Sequence, residues 1–205
     1  MRAHTNDVLF YKTLIFVNAL LPLTLIFWDL AHGQAGVNPI ESALRTFGVL
    51  ALIFLLISLS ITPMRKIFGW GTLIKYRRTL GLFAFFYACL HMLVYVVFDR
   101  SASVLSVAHD VINRPFIAVG MACFALLTPL ALTSTDKIRQ RMGAKRWLKL
   151  HQLSYPITIG AVVHFYMIVK SDVFYPALFG VILALLLGYR MYVRAKKNDS
   201  FPVKR

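Results

Sequence analysis

Residues Leu80–Phe98, LGLFAFFYACLHMLVYVVF, run for nineteen positions without an acid, a lysine or an arginine and hold one histidine, His91. At 1.5 Å per residue such a stretch spans about 28 Å as a helix, close to the roughly 30 Å hydrocarbon core of a bilayer. The alternation of a membrane barrel is missing, and an open strand in lipid would leave backbone groups unpaired, so a helix is the expected form. A polar ring at that depth is costly and needs a partner, a cavity or a metal. The stretch therefore predicts a membrane helix and poses the question of what His91 is for.

Working outward, five further apolar runs of similar length occur, at Thr13–Leu30, Leu44–Ile61, Phe116–Leu132, Leu148–Val169 and Val173–Tyr189. With 59% apolar and 15% charged residues, the chain is far from the roughly 45–50% and 25% of soluble domains. The expected fold is an all-α integral membrane protein, a six-helix bundle occupying residues 1–205 as one domain, with no room for a separate soluble one. The first run exceeds the apolar stretch of a signal peptide and is read as a retained anchor. Cys89 and Cys123 lie inside apolar runs and read as packing residues, with no disulfide framework or CxxC motif.

Net charge is +15, a balance that elsewhere would suggest nucleic acid. Here the cations cluster between the apolar runs. The N-terminal tail, the second loop (Arg65, Lys66, Lys75, Arg77, Arg78), the fourth loop (Lys137 to Lys149) and the C-terminal tail hold 19 of the 23 Lys and Arg, for a net +16, while the opposite side sums to −1. By the positive-inside rule both termini are expected in the cytoplasm, with anionic lipid rather than nucleic acid as the basic residues' partner.

Three of six histidines, His91, His151 and His164, fall inside the third and fifth runs. A zinc site would draw four ligands together, whereas His151 and His164 stand 13 residues apart, about 20 Å along a helix. Two haem irons at different depths could use both, because imidazole is an axial haem ligand. On a straight helix 13 steps of about 100° leave the two rings roughly 140° apart; Pro156, between them, is a candidate for a kink or local rewinding that corrects this. His4, His32 and His109 lie in a tail and loops and are not expected to bind a cofactor. Tyr95 and Tyr155, each four residues after a histidine, are placed to support the rings.

The stretches Arg77-Arg78-Thr79-Leu80-Gly81-Leu82 leading to Leu90-His91, and Arg146-Trp147-Leu148-Lys149-Leu150-His151 followed by His164, resemble the ferric-reductase-like membrane domain. More closely, their order and spacing, with Thr62-Pro63 and Thr133-Ser134, resemble the haem-binding subunits of the periplasmic methionine sulfoxide reductase system, the MsrQ (YedZ) family. In the broader superfamily two histidines on the third span face two on the fifth around two b-type haems. This chain departs from that pattern: fourteen residues before His91 stands Arg77. The resemblance implies that His91 pairs with His164 around a haem near the periplasmic face. His151 is then left with a non-histidine partner or an incomplete second site, and the haem count is one or two. Arg77 and Arg78 are candidates for haem propionates or a quinone headgroup.

The chain holds no GxGxxG, and no nucleotide-binding domain follows the sixth run. Electrons must then come from a quinol or a cytosolic flavin reductase, and the resemblance implies the quinone pool. It also implies a periplasmic molybdopterin-containing methionine sulfoxide reductase as acceptor, which repairs oxidised envelope proteins and carries the catalytic centre. FMN is implied by the family alone, with no motif to place it. Two other classes use intramembrane histidines: a proton-coupled transporter, which calls for broken helices in related halves, and an assembly factor without a cofactor. Neither the halves nor their polar interruptions are seen.

Overall fold

The computed structural model describes residues 5–169 and 171–199. His4, Lys170 and Arg205 lie outside the described residues. The described residues form helices α1 (Thr5–Ala31), α2 (Pro39–Phe68), α3 (Arg77–Leu93), α4 (Val104–Asn113), α5 (Pro115–Leu132), α6 (Asp136–Met142), α7 (Ala144–His151), α8 (Ser154–Ile168) and α9 (Phe174–Asp199). A 3-10 turn (Gly71–Lys75) leads into α3, and a π-helical turn (Val94–Asp99) continues it.

Among the described residues five helices are long and apolar enough to cross a membrane: α1, α2, α3 with its π-helical turn, α5 and α9. The chain is a multi-pass membrane protein. Five of the six predicted runs lie within these helices, allowing one residue at the start of the last. The run predicted as one helix at Leu148–Val169 is instead divided between α7 and α8. Pro156 has no N–H to give to the Gln152 carbonyl, and its ring crowds that turn. The chain tightens there, with Gln152 and Leu153 at ψ −21° and −18°, as in a 3-10 helix. The Leu153 and Tyr155 amides bond three residues back, to Leu150 and Gln152, and the normal four-residue spacing resumes at Ile157.

Helix α2 is the axis of the bundle. It packs most extensively on α3 and also meets α8 and α9, while α5 packs on α8. Where α2, α3, α5 and α8 meet, Leu55, Ala84, Leu127, Leu130 and Ile157 form a buried cluster, and Leu52, Leu56 and Leu59 close onto Leu183 of α9. Small residues allow the close approach of α5 to α8, since a Cβ at Gly160 would stand 2.5 Å from Cys123 Sγ. Helix α1 is attached by the buried Tyr87 of α3, whose hydroxyl donates to the Ala19 carbonyl, in the turn preceding Pro22. Large apolar side chains such as Phe16, Val17 and Leu185 stay exposed on the outer faces, as lipid contact requires.

Helix starts follow capping chemistry. Asn38 accepts from the Glu41 amide ahead of Pro39, and Ser103 from Ser106, each satisfying an N–H the helix leaves unpaired. Gly69 ends α2 at φ 71°, a left-handed conformation that glycine takes without strain. Helix α4 is arranged in reverse of a soluble helix. Val104, Leu105 and Ile112 point outward while Asp110, 3% exposed, points in, an arrangement suited to the edge of a bilayer.

Candidate functional site

His91 lies in the last turn of α3 and His164 near the end of α8. His91 Nδ1 is 2.9 Å from the Leu44 carbonyl on α2, and His164 Nδ1 is 2.6 Å from the Phe116 carbonyl on α5. A carbonyl only accepts, so Nδ1 carries a proton in both rings, and in the neutral imidazole Nε2 then keeps its lone pair. Bonds of this kind orient a ligating imidazole and raise its basicity.

Two glycines make this arrangement possible, and sequence reasoning missed both. Gly48 stands one turn after Leu44 and Gly120 one turn after Phe116. A Cβ at Gly48 would come within 3.1 Å of His91 Nδ1, and one at Gly120 within 2.7 Å of His164 Cε1. Each ring thus lies against a glycine while bonding the carbonyl four residues before it. The signal was present as glycine inside an apolar helical run, where it costs about 1 kcal/mol against alanine and calls for a packing reason.

The two rings face one another with centroids 6.2 Å apart and planes at 88°. With roughly 2 Å per metal–nitrogen bond and roughly 1 Å from nitrogen to ring centre, imidazoles on opposite sides of one metal stand about 6 Å apart. His91 and His164 are therefore the residues that would hold a haem iron, which would supply one-electron chemistry there. Among the described residues no group of three or more His, Cys, Asp or Glu gathers to hold a bare metal ion.

His151 has different surroundings. Its ring stacks on Trp147, centroids 3.9 Å apart, and its Nε2 is 3.3 Å from Thr133 Oγ1. Thr133 Oγ1 also donates to the Pro129 carbonyl at 2.6 Å, and Trp147 Nε1 donates to the Thr133 carbonyl at 3.0 Å. Thr133 and Phe116 lie at opposite ends of α5, about 26 Å apart along its axis, so His151 and His164 both turn toward α5, one at each end. The tightened turn before Pro156 bears on this shared direction, because each residue of 3-10 winding adds about 20° to the α-helical rotation.

Arg77 is half-buried and close enough for its charge to act on both His151 and Arg190. Arg78 is engaged elsewhere, binding Asp136 through two nitrogens at 2.6 and 3.2 Å and reaching the Ser134 carbonyl. Tyr95 does not bond His91; its hydroxyl donates to Asp110 at 3.0 Å, because the π-helical turn breaks the register that would stack it on the histidine. Asp110 also binds Arg100 at 2.6 Å and Arg114 at 3.3 Å, a buried knot that sequence reasoning did not anticipate. Tyr155 lies under the Arg190 guanidinium. Among the loop histidines, His32 stacks on Trp28.

Residues 46–162, more than half of the chain, match the family described as Ferric reductase like transmembrane component. Similar proteins named protein-methionine-sulfoxide reductase heme-binding subunit MsrQ occur in several bacteria. The one from Rhodospirillum rubrum is 43% identical over 91% of this chain and 89% of its own length. That from Herminiimonas arsenicoxydans is 44% identical over 92% and 88%, and that from Bordetella pertussis 44% identical over 88% of each. The matched segment carries His91 and His151 with the glycines that seat the facing rings, and the full-length likeness extends over nearly all of the bundle. The chain belongs to the MsrQ family of ferric-reductase-like membrane proteins.

Proposed function

We propose that this protein is a membrane b-type cytochrome that passes electrons from the quinone pool to a periplasmic, molybdopterin-containing methionine sulfoxide reductase. The observation that carries this reading is the His91–His164 pair, two imidazoles with ring centres 6.2 Å apart and each Nδ1 bonded to a carbonyl, in a chain whose relatives are named heme-binding subunits. Haem, when bound, supplies reversible one-electron chemistry. The chain's own part is positional. The Leu44 and Phe116 carbonyls hold the tautomer and leave both Nε2 atoms free as ligands, Gly48 and Gly120 leave room for the rings, and the helices around them keep water out.

The bundle is read as one domain with six spans, α7 and α8 together making the fifth, and with both termini cytoplasmic. The +16 against −1 charge distribution supports that orientation. His91 and His164 then lie toward the periplasm, on the side of the acceptor, and His151 with Arg77 toward the cytoplasm. His151 is the candidate ligand of a second haem, with Arg77 beside it for a propionate. The catalytic reduction belongs to the partner, which docks on the short loops around Asp29–Glu41, Asp99–Asp110 and Lys170–Asp172.

The test is reconstitution in a membrane. A reduced quinol should reduce the haem, and the periplasmic reductase with methionine sulfoxide should reoxidise it. If quinol never reduces the haem while a cytosolic flavin reductase with NADH does so readily, the donor assignment fails.

A further inference from the structure

Where α2, α8 and α9 converge, on the side of the bundle holding the basic loops, a cavity of about 120 Å³ is lined by Thr62, Lys66, Tyr155, Tyr189, Arg190 and Arg194. Three of these residues are cations and none of the lining residues is an acid. Arg190 projects into it from α9. Its Nη2 donates to the Leu59 carbonyl, which has lost its helical partner because Pro63, four residues on, has no N–H. Its guanidinium lies 5.0 Å from the centre of the Tyr155 ring.

That structural duty uses one nitrogen. Arg190 Nε and Nη1 are buried and make no well-aligned hydrogen bond among the described residues, although the Tyr155 hydroxyl is near enough to act on the guanidinium. A buried donor left unmade is costly, more so when charged, and the charges of Arg77 and Arg194 act on the same guanidinium. Close cations repel, and burial weakens the screening that would relieve them. An anion in the cavity removes both costs together.

We propose that this cavity binds a phosphoryl anion, held by Arg190 Nε and Nη1, by the ammonium of Lys66 and the guanidinium of Arg194, with the Thr62 and Tyr189 hydroxyls as further donors. A phosphate monoester brings up to two negative charges and three acceptor oxygens, a phosphodiester headgroup one charge and two free oxygens, and arginine recognises either through two parallel bonds. The group belongs to a phospholipid headgroup of the adjoining leaflet or to a soluble phosphorylated compound.

The purified holoprotein in detergent separates these sources. Its unfolding, followed by tryptophan fluorescence, is titrated with inorganic phosphate at fixed ionic strength, and its retention of lipid is compared after reconstitution in phosphatidylcholine with and without about one-fifth phosphatidylglycerol. Lys66→Gln and Arg194→Gln remove rim charges, Arg190→Lys keeps the charge without the two-nitrogen edge, and Arg190→Gln removes both. Saturable stabilisation by phosphate, weakened several-fold in the rim variants and at least tenfold in Arg190→Lys, assigns a soluble ligand. Tight retention of phosphatidylglycerol without a phosphate response, lost in the same variants, assigns a headgroup. If neither probe binds, or if both rim variants bind as the unsubstituted protein does, the proposal is overturned, whether or not Arg190→Gln folds. Haem absorbance in the same samples reports separately on the functional reading.

Discussion

The ring centres of His91 and His164 stand 6.2 Å apart with their planes at 88°, and each ring is held by the same device: a carbonyl on one neighbouring helix accepting from Nδ1, and a glycine one turn later where a side chain would collide. The repetition ties ligand geometry to helix packing. Helices α2 and α5 each orient one ring, so a shift of either helix would change the separation of the two nitrogens.

The glycines should therefore behave as positioning residues. Gly120→Ala places a Cβ 2.7 Å from His164 Cε1 and Gly48→Ala one 3.1 Å from His91 Nδ1. Crowding of this kind costs about 1–3 kcal/mol. We expect Gly120→Ala to lower haem content and alter the visible spectrum more than Gly48→Ala, while both proteins still insert as helical bundles by circular dichroism. Unchanged spectra in both would remove the glycines from the account.

Asp110 anchors the chain between the third and fourth membrane runs through Tyr95, Arg100 and Arg114. Hydrogen bonds to charged groups contribute about 1.5–3 kcal/mol, so Asp110→Ala should lose at least that amount. Tyr95→Phe removes one bond to that carboxylate and leaves the Arg100 and Arg114 contacts in place, so it should lose about 1.5–3 kcal/mol, less than Asp110→Ala. Thermal unfolding of both variants checks the order, and equal losses would contradict it.

The Arg78–Asp136 pair gives a pH prediction. The Arg78 guanidinium holds the Asp136 carboxyl below its ordinary value of 3.8. A depressed folded-state value means that the contribution is full above the ordinary value and is lost as pH falls through the depressed one. Both partners are solvent-exposed, so the effect is small. Asp136→Asn should unfold much as the unsubstituted protein does near neutrality and lose part of the acid-limb dependence of the melting temperature. A large destabilisation at neutral pH would show that the pair does more than tie α6 to α3.

Reporter fusions test the orientation. Those after Arg205 and within residues 133–145 should behave as cytoplasmic, and those within 99–114 as periplasmic. A periplasmic report from the C-terminal fusion would reverse the side assigned to each histidine.

Apolar run length was enough to find the membrane helices, because lipid enforces a long uncharged stretch on each. It could not by itself reveal the division at Gln152; that was legible only in Pro156, a candidate for a kink or local rewinding, before which the winding tightens. It also missed α4, whose ten residues fall below the length of a span. The histidines were legible as chemistry, since few polar rings lie in such runs, and the His91–His164 pairing followed from family spacing. The seats at Gly48 and Gly120, the Asp110 knot, and Arg78 turning to Asp136 were not legible. Each depends on which helices become neighbours, and a single chain's composition carries no record of that.

The most direct test of the central claim is electron paramagnetic resonance of the oxidised, purified protein with its three histidine variants. Ring planes at 88° predict the strongly anisotropic low-spin signal given by near-perpendicular axial imidazoles. His91→Ala and His164→Ala should each abolish that signal, because one iron needs both ligands, and His151→Ala should leave it in place. A signal that survives either of the first two substitutions, or a colourless preparation from haem-replete cells, would contradict the account.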